Sequence, residues 1–345
     1  MKIIKTIFFF CSGLLLTTIS FELFLSFAGI MNPIVKIDSI KGERYIPNKT
    51  CNSLFIGEGF GLDRTNSQGW FGKEYIDNSD SLISIAIIGN SFVSSRQVFE
   101  RNNFLTICEN SMNNNLKHPK AAIYNFGKES MPIQELLFIK EEIKIDYNPD
   151  YIVILINDKN FNSPNRLVPY YELKNDKLVL NTSFSDRSVF KLYSKIQWLS
   201  NSSLLFLGYR VKNYLKKSPQ IILDKFYVRK KLDHQITNIV ETKINLTDQT
   251  IIKTLNEDEK VIFLLDVDSN MAELLKSLID QSPVIDLTNA LTKMKNDQGI
   301  NPYYWKISNE MGHWNNDAHI VVGKELAKNL LKIYTTDKNT PHNTQ

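Results

Sequence analysis

Five short, nearly continuous apolar runs constrain this chain more than any other feature. They are Leu82-Ile-Ser-Ile-Ala-Ile-Ile88, Ala121-Ala-Ile-Tyr-Asn-Phe126, Pro149-Asp-Tyr-Ile-Val-Ile-Leu-Ile156, Lys260-Val-Ile-Phe-Leu-Leu265 and Pro283-Val-Ile-Asp-Leu287. Runs of this length, rich in β-branched residues and ended by Gly89 or Gly127, read as strands buried on both faces, the pattern of a parallel sheet. Between the first three lie segments of helical spacing, Phe99 to Asn113 and Ile133 to Lys144, and Val321 to Tyr334 reads as a closing amphipathic helix. Strand and helix in alternation specify an α/β chain with a doubly wound parallel sheet. Such sheets bind ligands at the carboxyl ends of their strands.

The rest of the chain is organised around that sheet. Residues 162–255 interrupt it and read as an insertion, because sheet strands flank them on both sides. The insertion holds a hairpin pattern at Tyr170 to Leu180 with Asn175-Asp176 at its turn, and helical patterns at Ser188 to Lys217 and Ile221 to Val240. Its aromatics Tyr170, Tyr171, Trp198 and Phe206 either pack a lid onto the sheet or line a sugar or acyl site. Residues 32–80 read as an irregular polar lead-in, residues 81–335 as the domain, and residues 336–345 as a polar tail. Residues 1–31 hold Lys2 and Lys5 and then an apolar run broken only by Glu22. About 25 helical residues cover roughly 37 Å, enough for a hydrocarbon core of about 30 Å. A single-pass anchor with its N-terminus in the cytoplasm fits, and so does a cleavable signal peptide ending at Ser26-Phe27-Ala28. Either reading sends the bulk of the chain across a membrane, to the periplasm or the cell surface.

Composition narrows the function. At 43% hydrophobic and 23% charged, the 345 residues have ample material for a core. The balance of 41 basic against 37 acidic residues lacks the strong basic bias of nucleic-acid binders. Cys11, Cys51 and Cys108 form no CxxC, so no metal site is expected, although Cys51 and Cys108 could pair in an oxidising compartment. No Gly-rich phosphate loop is present, and no cofactor is expected. A candidate nucleophile stands after the first run, in Gly89-Asn90-Ser91-Phe92, a strand-to-helix turn that exposes a hydroxyl beside helix N–H groups. Serine needs a base. His118, His234 and His342 lie in a loop, a polar helix and the tail, whereas His313 falls in Glu310-Met-Gly-His-Trp-Asn315, a loop entering the last helix. Ser91 and His313 therefore pair as nucleophile and general base.

These blocks resemble the GDSL or SGNH hydrolases. Ile85 to Phe92 is similar to their nucleophile block, Asn125-Phe-Gly127 to Ser130 to their second, Pro149-Asp150 through Asn157-Asp158 to their third, and Gly312 to His319 to the block with the catalytic histidine. Arg64-Thr-Asn-Ser-Gln-Gly69 resembles a segment preceding the nucleophile in membrane-anchored bacterial members. The resemblance spans residues 60 to 335 and implies a three-layer, flavodoxin-like α/β/α fold. It also implies an oxyanion hole from the backbone of Ser91 and of Ser130, with Gly127 matching an earlier glycine, and from the side chain of Asn157 or Asn160. Asn90 replaces the family's Asp. The family's acid lies just upstream of the histidine, where this chain has Glu310; either Glu310 orients His313 or a backbone carbonyl does. The implied activity is ester hydrolysis through a serine acyl-enzyme, on acetyl or other small acyl groups of an acylated carbohydrate. An O-acyltransferase acting toward a sugar hydroxyl and a non-catalytic carbohydrate-binding protein are the alternatives.

Overall fold

The computed structural model describes residues 2–27, 35–54, 58–76, 82–161, 167–186, 190–191, 202–205, 207–208, 211–212 and 244–339. Helix α1 spans Lys2–Phe27. Two antiparallel hairpins follow, β1 (Val35–Asp38) with β2 (Gly42–Tyr45) and β3 (Thr50–Leu54) with β4 (Phe60–Arg64). The lead-in expected to be irregular is therefore built of short strands. Next come β5 (Leu82–Gly89), the single-turn α2 (Ser91–Ser94), α3 (Phe104–Asn115), β6 (Lys120–Gly127), α4 (Ile133–Tyr147) and β7 (Tyr151–Asn157). The insertion contributes the hairpin β8 (Tyr170–Lys174) and β9 (Lys177–Asn181). Asn175 and Asp176, both at positive φ, form its turn. The helical patterns expected at 188–217 and 221–240 lie mostly outside the described residues, as do Trp198 and Phe206. The chain closes with α5 (Leu246–Asn256), β10 (Val261–Asp266), α6 (Ser269–Leu278), β11 (Val284–Asp286), α7 (Thr288–Gln298), the two-residue strands β12 (Tyr304–Trp305) and β13 (Glu310–Met311), and α8 (Asn316–Asn339).

The main sheet has the order β11-β10-β7-β5-β6 and every pairing in it is parallel. Numbered along the chain this is 2-1-3-4-5, the flavodoxin-like order, whose direction of winding reverses between the strands here called β5 and β7. The strands are apolar on both faces because each face has its own helical layer. Ala86 and Ile88 of β5, Ile152, Ile154 and Ile156 of β7, and Val261, Phe263 and Leu265 of β10 pack with α4, α5 and α6. Their alternates Ile85 and Ile87, Val153 and Leu155, and Ile262 and Leu264 pack with α3, α7 and α8. Period-two alternation between two dry layers explains why the runs show no polar face. The tail assignment is corrected: α8 runs to Asn339. Thr335 and Thr336 bond back to Leu331 and Lys332 carbonyls, and Tyr151 Oη donates to Asp337 at 2.7 Å, so its last turns are held.

The short lead-in strands are fixed by tertiary contacts. Lys41 and Arg44 pair with Glu142 of α4 at 2.7 and 2.6 Å, and Glu43 N–H donates to the Leu167 carbonyl at 2.9 Å. In the Arg64 to Gly69 segment Asn66 Oδ1 accepts from Gln68 and Trp70 N–H, turning buried Trp70 into the core. Cys108 is a free thiol, buried in α3, so the pairing with Cys51 does not form.

Candidate active site

The site forms where β5 and β7 end, at the switch point of the sheet. Asn90 leaves β5 in an extended conformation and caps α2, its Oδ1 accepting from Phe92 N–H at 3.1 Å. Ser91 is the first residue of α2 and is buried apart from a small exposed fraction. Gly127, at the end of β6, fixes how close that turn lies. A Cβ at Gly127 would stand 2.1 Å from Ser94 N and 2.6 Å from Val93 C, so the strand touches the α2 backbone with no side chain between them.

His313 Nε2 lies 2.7 Å from Ser91 Oγ, and His313 Nδ1 lies 2.6 Å from Glu58 Oε2. A carboxylate can only accept, so Nδ1 carries the proton, and Nε2 is left with its lone pair toward the serine hydroxyl. Trp305 Nε1 donates to the His313 carbonyl at 2.9 Å, and the Phe92 ring stands 4.8 Å from the imidazole. Gly312 makes room for the acid: a Cβ there would lie 2.5 Å from Glu58 Cδ and Oε1. The expectation that Glu310 orients His313 is therefore corrected. Glu310 is exposed on β13, opposite Trp305 in a two-residue ladder, and the turn through Asn309 at φ 58° sets it there. Glu58 precedes β4, in the lead-in from which no site residue was expected. An acid between two glycines, Gly57 and Gly59, is the only local signal, and it is a weak one.

Three asparagine side chains meet beneath Ser91. Asn90 Nδ2 donates to Asn157 Oδ1 at 2.7 Å, Asn157 N–H donates to Asn160 Oδ1 at 2.7 Å, and Asn160 Nδ2 donates to the Met131 carbonyl at 2.7 Å. Backbone groups fix two of the amides: Phe92 N–H needs the Asn90 oxygen, and the Met131 carbonyl needs the Asn160 nitrogen. Asn157 Oδ1 also accepts from Lys159 N–H at 3.1 Å. That leaves Asn157 Nδ2 buried with no partner, a condition rare in native folds and suited to a donor kept for a reacting oxygen. Asn160 is wholly buried and its amide donates to the backbone, which leaves Asn157 as the one of the two with an unused amide donor. Gly127 N–H is engaged by Asn125 Oδ1 at 2.9 Å. Ser130 is exposed in the loop after β6, its backbone in the left-handed region at φ 54° where a glycine would be at ease. That loop is tied to the nucleophile turn by Lys128 N–H on the Gly89 carbonyl at 3.0 Å and by the buried ion pair of Lys128 with Glu135.

Two titratable groups border the site. His319 is wholly buried, and burial, with His313 nearby, lowers its pKa to about 3. It stays neutral and its Nδ1 accepts from Phe104 N–H at 3.2 Å, joining α8 to the start of α3. Burial raises Asp266, at the end of β10, to about 6 despite the Tyr303 hydroxyl 2.5 Å away. Among the described residues no group of three His, Cys, Asp or Glu side chains is arranged to hold a metal ion.

No protein-family model and no curated protein matches the chain. Among solved structures, a lipase/acylhydrolase from Enterococcus faecalis matches at 15% identity and a TM-score of 0.35, covering 72% of this chain and 96% of its own. A lipolytic protein of the G-D-S-L family from Veillonella parvula matches at 12% identity and 0.34, covering 74% and 98%. An acetylxylan esterase from Geobacillus stearothermophilus matches at 10% identity and 0.39, covering 74% and 95%.

Proposed function

We propose that the chain is a serine esterase that cleaves small acyl esters through an acyl-enzyme. One observation carries the reading: a continuous chain of hydrogen bonds from Glu58 through His313 to Ser91 Oγ, with both distances under 2.8 Å. In this mechanism His313 Nε2 takes the Ser91 proton as Oγ attacks the ester carbonyl. The carbonyl oxygen becomes an oxyanion and accepts from Asn157 Nδ2 and from the Ser91 and Ser130 N–H groups. The imidazolium, held by Glu58, returns its proton to the departing alcohol, and water repeats the cycle to release the acid. No step needs a cofactor. Water as the acceptor makes an esterase, and a sugar hydroxyl in its place makes an acyltransferase. The resemblance of the sequence blocks to membrane-anchored hydrolases supports acetylated envelope or extracellular polysaccharide as substrate, with α1 as anchor and the domain outside the cytoplasm.

Fluorophosphonate labelling followed by mass spectrometry tests the chemistry. The adduct is expected on Ser91 and is expected to vanish in His313→Ala. A folded protein that takes no label would overturn the reading. Release of acetate from aryl acetates and then from acetylated glycans, with products of added sugar acceptors analysed in parallel, separates hydrolysis from transfer.

A further inference from the structure

Glu22 is the one acidic or basic residue between Lys5 and the end of α1. A carboxylate in an apolar helix is costly in a bilayer and marks a site whose partner should be sought. Its partner here is the insertion. Glu22 Oε1 accepts from Ser203 N–H at 2.7 Å, and Oε2 accepts from Leu204 N–H and Ser202 Oγ, both at 2.8 Å. These are the first donors of the helical residues 203–205, 207–208 and 211–212, and Ser202 caps the same turn, its Oγ accepting from Leu205 N–H at 3.2 Å. The carboxylate thus sits on the positive end of a helix and satisfies donors that would otherwise be bare. Ser203 is buried, and so is Leu25, one turn beyond Glu22 on α1.

The height of this contact follows from α1. Glu22 lies seventeen positions after Lys5, about 26 Å along a helix, against a hydrocarbon core of about 30 Å. If α1 spans, the joint lies at the outer margin of the core. The helical residues beyond it expose apolar side chains, Leu205 at 51% and Val211 at 47%, and next to Val211 the basic Lys212 is exposed as well. Apolar side chains beside basic ones suit the bilayer interface, where acyl chains take the first and lipid phosphates the second.

We infer that the insertion makes a second membrane contact: residues 202–205, 207–208 and 211–212 lie in the outer interface of an anionic bilayer, clasped to the anchor by Glu22. The inference rests on the reading of α1 as a spanning anchor, and it makes the insertion a spacer that fixes the domain's orientation to the lipid surface.

The test uses the full chain in phosphatidylcholine and phosphatidylglycerol vesicles, carrying one NBD-labelled cysteine in a background with the other cysteines replaced by alanine. The label sits at native Cys11, at Leu205→Cys, or at Lys177→Cys on the exposed β8–β9 turn. Deep doxyl lipids are expected to quench position 11, shallow doxyl lipids to quench position 205, and neither to quench position 177. Glu22→Leu is expected to leave position 11 quenched and to abolish the quenching at 205. Position 205 behaving like 177 while 11 is quenched overturns the interfacial contact alone. Position 205 shielded from iodide yet blind to doxyl lipid shows a protein contact and overturns it too. If position 11 itself is unquenched, the anchor reading falls and the inference with it.

Discussion

At His313 the deciding contact comes from a residue 255 positions away. Ser91 and His313 were legible because each stands at a recognisable place, one in a strand-to-helix turn and the other before the closing helix. Glu58 was not, since nothing in a local pattern tells which carboxylate of a distant hairpin will reach an imidazole; the spacing to Glu310 pointed instead to a side chain that the β12–β13 ladder turns to solvent. Kinetics separate the two acids. Glu58→Gln keeps the shape but loses the acceptor that fixes the imidazole tautomer, and kcat is expected to fall about 10⁴-fold. Glu310→Gln, an exposed change, is expected to leave kcat within about twofold. Asn157→Ala removes one oxyanion donor and should lower kcat by about 10²- to 10³-fold. Asn90→Asp is expected to do similar harm, because a carboxylate would face Asn157 Oδ1, now 2.7 Å from the Asn90 amide nitrogen, and would draw Asn157 Nδ2 to itself. If Asn90 acts through Asn157, the double variant is no slower than Asn157→Ala alone; additive losses would refute that coupling.

Among elements, the five sheet strands were read in their order of appearance and with ends within two residues of those observed, because burial on both faces writes a continuous apolar run. The lead-in hairpins were missed for the opposite reason. Strands of four residues such as Val35–Asp38 and Gly42–Tyr45 show little alternation, and ion pairs to Glu142 together with a small cluster of Val35, Tyr45 and Phe71, apart from the two main core layers, hold them in place. Yet the second hairpin brings in Glu58, so an element with a faint signature completes the site. The joint between β6 and α2 has a sharper signature, a glycine ending a strand, and a direct consequence. Gly127→Ala places a methyl against the backbone of Val93 and Ser94, where no flexible side chain can move aside. Either strand or helix must shift, at about 1–3 kcal/mol. The expected result is a lower midpoint in thermal unfolding together with slower fluorophosphonate labelling of Ser91. Unchanged labelling would show that α2 does not depend on this contact for its position.

Over the whole molecule, α8 closes the layer on one face of the sheet and docks through His319 onto the start of α3, so a neutral imidazole is part of what holds the fold together. Its pKa is lowered to about 3 in the fold, against 6.5 for an ordinary histidine. Between those values the unfolded chain binds a proton at residue 319 that the folded chain does not, so stability is lost as pH falls through that window. Above about pH 7 the contribution is full and level. Asp266 works in the other direction: raised to about 6 in the fold, it gives the folded chain the extra proton between about 4 and 6, and favours folding as pH falls there. The two effects overlap, so the midpoint of the parent protein alone cannot assign them. His319→Gln keeps an oxygen for Phe104 N–H and removes the titration, leaving Asp266 as it was. The difference in unfolding midpoint, parent minus variant, is expected to be level above pH 7 and to decline steadily from pH 6.5 toward 4. Parallel curves across that range would mean that His319 is protonated in the folded protein and that α8 is held without it.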